Sequence, residues 1–476
     1  LQPSAQQVPL STNYITDFNF LNQYLPDTYE KEFERYGNRT IASFLRMVGA
    51  EMPSNSDMIK WAEQGRLHIK YINCTTTVLA SADTATFTIN DVLVPNRASI
   101  GLTAGSIALR VGQTVVITPN VAGPTQNKGI ITAVNTSAAT IDVAFYEGAG
   151  MTNASAGNTF TIFIYGSEFK KGTNGMVGSL EAEDDIYDNS PIIIKDKYAV
   201  SGSDMAQIGW IEVTTENGAS GFLWYLKSEH ETRLRFEDYL ETAMIEAVPA
   251  ASGSGATAAG YKGSEGVFYV VNDRGNVWGG GNPTTLADFD SIVSRLDKQG
   301  SIEENVIFVN RDFSFDIDDM LATLNGYNGG TAANGASFGL FDNDVNMALN
   351  LGFSGFRRGY DFYKSDWKYL NDPTMRGGLT SSATGSSTAN VITGLLVPAG
   401  STTVYDQVLG KNAKRPFLHV RYRATASEDR RYKTWITGSA GGAATSDLDA
   451  MEVNFLSERC VCTLGANNFV LFRYGA

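Results

Sequence analysis

The five residues GASFG, Gly335 to Gly339, have the G-x-S-x-G spacing of a nucleophile elbow with Ser337 at its centre. A serine so placed attacks a carbonyl carbon when a strained turn presents its hydroxyl to a histidine base. His419 lies downstream in a workable order, so acyl transfer is the first chemistry to weigh. The elbow needs a buried strand immediately before the serine, however, and the residues there are NGYNGGTAAN. That is loop composition, and it predicts no catalytic serine.

Gly255, Gly260 and Lys262 come close to a phosphate loop, but Tyr261 separates glycine from lysine and no Ser or Thr follows directly. DNDVN, Asp342 to Asn346, and DFSFDIDD, Asp312 to Asp319, carry carboxylates at calcium-like spacing. The first lacks the glycine and the distal acid of a calcium loop, so turns and helix caps are the expected role of both. The chain has 3 histidines, His68, His230 and His419, far apart in sequence, and no H-E-x-x-H or Cys/His cluster. Its 3 cysteines, Cys74, Cys460 and Cys462, are too few for a disulfide framework; Cys460 and Cys462 would share one face of a strand as reduced packing residues. No catalytic, cofactor-binding or metal-binding residue is expected, and no cofactor. A carboxylate pair of the glycosidase kind has a spacing that exists only in three dimensions.

A chain of 476 residues exceeds one simple core, so two to four domains are expected. Forty-eight glycines with 18% charged residues suit turns, strands and buried interfaces better than a solvated helical bundle. A formal charge of −14 opposes a grip on nucleic-acid phosphates, which takes clustered Lys and Arg. DNA enclosed without being bound remains compatible with it. No window has the roughly 18 apolar residues of a membrane span, and LQPSAQQVPLSTNY lacks a basic-then-apolar export pattern, so a soluble, unexported chain is expected. Leu1 in place of methionine fits either maturation cleavage or a trimmed sequence.

The elements follow from texture. Residues 1–26 read as an extended arm, and DTYEKEFERYGNRTIASFLRMVGA and SNSDMIKWAEQGRL as two helices, capped by Asp27 and by Ser54 or Ser56. Residues 68–169 are short Thr, Val and Ile runs broken by Gly, Asn and Pro, the pattern of an all-β sandwich or barrel. Residues 170–215 pair the basic Lys170 and Lys171 with the acidic run Glu181 to Asp188 and read as a protruding two-stranded loop. Gly221 to Val248 reads as one helix roughly 40 Å long. Its Phe222, Leu226, Phe236, Leu240, Met244 and Ala247 are apolar at the two ends, while Glu229 and Arg233 are charged between them. Residues 262–425 have α/β texture, and 426–476 supply closing strands.

An arm, a charged loop leading through IIIKDKYAVSGSDMAQIGW into GFLWYLKSEHETRLRFEDYLETAMIEAV, an α/β region containing NVIFVNRDFSFDIDDMLATLN, and final strands together resemble the major capsid proteins of tailed bacteriophages, most nearly those of crAss-like phages. The resemblance implies an α+β fold of the Hong Kong type. Its parts would be an N-terminal arm and helices (1–67), an inserted all-β domain (68–169), an extended loop (170–215), a peripheral domain with the spine helix (216–261), an axial domain (262–425) and strands returning to the peripheral and axial domains (426–476). The spine would use Leu226, Phe236, Leu240 and Met244.

The implied function is a non-enzymatic subunit that self-assembles, as hexamers and pentamers, into an icosahedral shell around double-stranded DNA. Its partners would be other copies, the portal, decoration or auxiliary capsid proteins and head-fibre proteins, with packaged DNA touched only non-specifically and no membrane. The place would be the virion, assembled in the host bacterial cytoplasm. Inter-subunit contacts are expected at Glu181, Glu183, Asp184 and Asp185 against Arg357, Arg358, Lys414, Arg415, Arg430 or Arg431, with Lys170 and Lys171 as further candidate contact residues. The rival readings are a cell-surface adhesin, favoured by the Thr- and Asn-rich strands, and a hydrolase using Ser337 and His419.

Overall fold

The computed structural model describes residues 50–65, 68–76, 83–92, 100–101, 107–121, 126–147, 158–178, 184–206, 213–214, 220–221, 224–327, 355–379, 391–406, 411–440 and 444–474. The expected arm and first helix lie outside them. The chain divides into two compact units: Ile194–Tyr239 with Tyr432–Leu456, and Ile41–Ile193 with Leu240–Arg431 and Ser457–Ala476.

The described chain opens with strands β1 (Ala50–Ser54) and β2 (Ile59–Gln64). The helix expected over SNSDMIKWAEQGRL is therefore absent. Ile59, Trp61 and Glu63 are half-buried while Lys60, Ala62 and Gln64 are exposed, the period of two of a strand, although Ile59 and Ala62, three apart, would also share a helical face. What selects the strand is remote, because every residue of β2 pairs antiparallel with Asp184–Asn189.

Strands β3 (Lys70–Thr76), β4 (Thr84–Thr88), β5 (Asp91–Val92), β6 (Ile100–Gly101), β7 (Gln113–Pro119), β8 (Asn127–Asn135), β9 (Thr140–Phe145) and β10 (Thr159–Ser167) form one antiparallel sheet. Its order, β10-β7-β8-β9-β4-β3, returns through a β3–β10 pairing, so six strands close into a barrel with β5 and β6 added beside β3. Register breaks in β8 and β10 supply the bends that closure demands. Closure leaves no free edge along those six strands. Inward positions are Tyr71, Cys74, Phe87, Leu109, Val115, Ile117, Ile131, Ile141, Val143, Phe160 and Ile162, which fill the interior with side chains. Phe87 and Phe160 meet edge to face at 5.5 Å, and the Tyr71 hydroxyl is satisfied by the Ala108 amide at 3.0 Å.

Strands β11 (Asp184–Asn189) and β12 (Ile192–Ser201) follow. They do not pair with each other, which corrects the expected two-stranded loop: β11 pairs with β2, and β12 joins another sheet. A two-stranded ribbon needs a surface to cover one face. The β2–β11 ribbon has one in the Arg274 guanidinium, 3.9 Å from the Tyr187 ring centre and 5.8 Å from that of Trp61. After the short pair β13 (Val213–Thr214) and β14 (Ser220–Gly221) comes helix α1 (Trp224–Glu246), 23 residues within the span expected.

Helices α2 (Val267–Arg274), α3 (Leu286–Gln299) and α4 (Arg311–Tyr327) alternate with strands β15 (Asn276–Trp278), β16 (Glu304–Val309), β17 (Gly355–Arg358), β18 (Tyr360–Asp366) and β19 (Ile392–Pro398). Helix α3 starts at a Thr285–Asp288 capping box and stops at Gly300, whose φ of 70° is left-handed. Beyond β20 (Ser401–Asp406), β21 (Lys411–Pro416), β22 (Leu418–Arg423), β23 (Lys433–Gly438) and β24 (Ala450–Thr463), the chain closes with β25 (Val470–Arg473). The mixed sheet has the order β15-β25-β19-β16-β18-β17, with β15–β25 and β16–β18 parallel. Strand β25 thus inserts into a sheet begun nearly two hundred residues earlier. Its core joins Phe289, Ile292 and Leu296 of α3, Phe313 and Ile317 of α4, and Phe362 and Phe472 of the sheet.

In the other unit, β23 pairs antiparallel with the Met451–Leu456 part of β24. Phe236 of α1, fully buried, lies 5.4 Å from the Tyr432 ring and 5.6 Å from that of Phe455. Burying one such phenylalanine stabilises by about 2–3 kcal/mol.

Candidate functional site

Ser337, Asp342 to Asn346, Glu181 and Glu183 lie outside the described residues. Asp312 to Asp319 sit on α4, whose regular backbone directs their carboxylates around the helix rather than into a loop. Lys262 is exposed beside a single-turn helix, Gly255–Ala258.

His419 is buried, and its Nδ1 lies 3.2 Å from the Pro416 carbonyl oxygen. Strand register sets it opposite Cys462, and Arg421 opposite Cys460. The Cys460 thiol, hydrogen-bonded to Cys462 and buried, is pushed up in pKa; Cys462, which accepts that bond beside His419 and Arg421, is pushed down. Both sulfurs are shut off from solvent, so this pair has no route to a substrate. Among the described residues no group of three His, Cys, Asp or Glu side chains could hold a metal ion.

The expected docking charges divide into two sets. Arg358 forms a two-pronged pair with Asp290 at 2.7 and 3.0 Å, which lowers the Asp290 pKa and raises that of Arg358. Arg357 pairs with Asp361 across the strand at 3.0 Å. Glu458 lies between Arg430 at 2.7 Å and Arg423 at 3.3 Å, while Glu51 bridges Arg431 and Arg459. These arginines have partners within their own chain, and the pairs made by Glu51 and Glu458 tie β1, β22 and β24 together. Lys170, Lys171 and Asp185, by contrast, are exposed, and Asp184 stands at the start of β11.

Among the spine residues Phe236, Leu240 and Met244 are buried, and Leu226 falls in the first turn of α1. At the helix end Glu246 accepts from the Tyr369 hydroxyl at 2.7 Å and from Arg376 at 3.0 Å. Burial and that carboxylate push the Tyr369 phenol up.

The surface that sequence reasoning missed is on the barrel. In β10, Phe160, Ile162 and Ile164 point inward, yet the outward Phe163 and Tyr165 are also large and stand 43% and 49% exposed. Apolar residues at both parities were the available signal, since an outer face in water should carry polar ones. Beside this face a groove of about 730 Å³ runs between β8 and the segment after β10, walled by Val111, Ile130, Val134, Phe169 and Val177. Gly112, at φ +89°, makes room for it, because a Cβ there would lie 2.6 Å from the Phe169 ring. Glu168 accepts from the Tyr146 hydroxyl at 2.5 Å, and desolvation followed by that carboxylate raises the phenol to about 12. Arg110 and Lys170 also line the groove, and Lys128 lies over the Tyr165 ring at 5.9 Å.

No protein-family model matches the chain, and no curated protein matches it. Solved structures do share an overall likeness. A chain from Microbacterium phage Oxtober96 aligns with 97% of this chain and 99% of its own at 10% identity and a TM-score of 0.39. The capsid of a native GTA particle aligns over 98% and 100% at 9% identity and 0.40. The capsid of the cyanophage P-SCSP1u aligns over 80% and 92% at 9% identity and 0.31.

Proposed function

We propose that this chain is a shell-forming subunit, the major capsid protein of a tailed bacteriophage of crAss-like kind. Its copies meet as hexamers and pentamers around double-stranded DNA, and no catalysis is involved. The observation that carries the reading is the amount of large apolar side chain left in water: Val111, Phe163, Tyr165, Phe169 and Val177 on the barrel and its flanking turns, and Ile186 and Ile193 on β11 and β12. Clustered exposure of this kind marks surfaces that other molecules cover. The order of elements supports the same reading, since long helix, mixed α/β sheet and returning strands succeed one another as the resemblance implies. The net charge of −14 suits a wall that encloses DNA without clamping it.

In this reading the barrel thickens the shell or receives decoration proteins, and portal and head-fibre proteins complete the particle. Electron microscopy of the purified protein, concentrated alone and with its neighbouring gene products, should show rings of five and six subunits or closed shells. A monodisperse monomer under both conditions refutes the reading. Reversing the charges of the acidic run from Glu181 to Asp185 should impair assembly while leaving the monomer folded; unchanged assembly removes that run from the contact.

A further inference from the structure

We propose that the outer face of the barrel around Lys128 binds a neutral, β-linked oligosaccharide. The face belongs to the barrel alone, so this binding is independent of the shell-subunit reading. Strand register defines it. In β7, Val115 and Ile117 are buried in the barrel interior, so Val116 between them points outward. Phe163 of β10 lies beside Val116 in register, and Lys128 of β8 lies beside it on the other side. Tyr146, whose amide donates to the Lys128 carbonyl at 3.0 Å, extends the same row past the end of β9. Phe163, Val116, Lys128 and Tyr146 thus lie in line across the barrel surface, over roughly 14 Å at about 4.8 Å per strand. Tyr165 stands at the register break in β10, with the Lys128 Nζ 5.9 Å from its ring centre.

What this row shows to water is aromatic and polar rather than aliphatic. Val116 is only 8% exposed, whereas Tyr146 is 48% exposed and Phe163 and Tyr165 are similarly open. Two carboxylates flank it: Glu168 accepts from the Tyr146 hydroxyl, and Glu147 from the Lys128 backbone amide at 3.2 Å. A carboxylate accepts up to about four hydrogen bonds, so both keep capacity for further donors. Along β10 from Phe163, Thr161 donates to the Asn120 side-chain oxygen at 2.8 Å, which adds a hydroxyl and an amide to the face. A β-linked pyranose divides its surface in the same way. Its axial C–H groups form an apolar, slightly positive face that stacks on the negative face of an aromatic ring. Its equatorial hydroxyls donate to carboxylates and accept from an ammonium. Rings at both ends of the row, with a cation and acceptors between them, therefore suit several sugar units in succession. One lysine against two glutamates leaves little net charge to recruit an ionic polymer. None of Phe163, Tyr165, Lys128 and Tyr146 lines the groove, so a protein anchor would find no recess to fill along this row.

Isothermal titration of the full-length protein with cellotriose and with chitotriose tests the assignment. An open face without a pocket binds weakly, so at least one of the two should bind with a Kd on the order of 1 mM. Phe163→Ala and Tyr165→Ala should each weaken that binding about ten-fold or more, while Phe163→Tyr, which keeps the ring, should retain it. Val111→Ala and Val177→Ala, in the groove, should leave it unchanged. Both rings removed are solvent-exposed, and unchanged circular dichroism and melting temperature establish that the variants are folded. No binding of either sugar at about 10 mM overturns the proposal, as does binding that survives both alanine variants. Loss of ring or shell formation in Phe163→Ala, from a wild type that binds neither sugar, assigns the face to a protein contact instead. A wild type that binds sugar but never assembles overturns the shell reading and leaves the sugar site standing.

Discussion

The side-chain amide nitrogen of Asn189 donates a hydrogen bond of 2.6 Å to the carbonyl oxygen of Val461, joining the end of β11 to the C-terminal part of β24. The same amide donates to the Glu265 carbonyl at 2.9 Å, and its oxygen accepts from the Ser264 hydroxyl and the Glu265 amide, both at 2.9 Å. Every polar atom of this buried side chain is thereby used, and three segments distant in sequence are held by one residue.

Asn189→Ala should cost about 2–4 kcal/mol, because it leaves buried carbonyl and amide groups unpaired. Asn189→Asp should cost more, since an oxygen would then face the carbonyls of Val461 and Glu265. Urea unfolding of both variants, followed by circular dichroism, checks the order.

Phe236→Ala should cost about 3–5 kcal/mol by opening a cavity between Tyr432 and Phe455, and Phe236→Leu should cost clearly less. Amide exchange resolved by segment should place the loss in 224–239 and 432–456, the unit that contains these rings. Uniform loss across the chain would contradict the assignment.

Alkaline conditions should open the barrel. Desolvation in its interior raises the Cys74 thiol from 9.0 to about 12 and also raises the Tyr71 phenol. A thiol raised on folding stabilises fully below its unfolded value, and that stability is lost as pH climbs from about 9 toward 12, by up to about 1.4 kcal/mol per pH unit. Cys74→Val should flatten the fall. Melting temperatures of both proteins between pH 8 and 11 make the comparison.

Gly112→Ala should lower stability by about 1–2 kcal/mol, from a left-handed backbone and from displacement of the Phe169 ring. The Glu168 amide, bonded to the Gly112 carbonyl at 2.9 Å, should then exchange faster with solvent. Unchanged exchange at Glu168 would show that Phe169 does not depend on Gly112 for its place.

Much of the fold was legible where local pattern and final environment agree. The Thr and Val runs of 84–88 and 113–119 form strands, 286–299 forms a capped helix, and Gly221 to Val248 contains a helix, since propensity, caps and side-chain period all point the same way there. At 59–64 they do not. Ile59 with Trp61 suits a strand and Ile59 with Ala62 a helix over so short a window, and pairing with β11 decides for the strand.

The candidate site was legible in fragments only. Lys170, Lys171 and Asp185 stood out as charges, but Val111, Val134, Phe169 and Val177 come from separate stretches that barrel closure brings to one groove. The arginines at 358, 430 and 431 looked equally available in sequence, and only folding brought Asp290, Glu458 and Glu51 against them.

By itself, then, the sequence determined element type wherever hydrogen bonds and hydrophobic period are local, the reduced state of its three cysteines, and an acid balance unsuited to binding phosphates. The tertiary structure alone decided which strands pair, that β3 meets β10 to close the barrel, and that β25 enters the sheet between β15 and β19. Those outcomes depend on contacts between residues far apart along the chain. Such contacts form only when burial on both sides offsets the entropy of bringing them together, and no short window of residues encodes that sum.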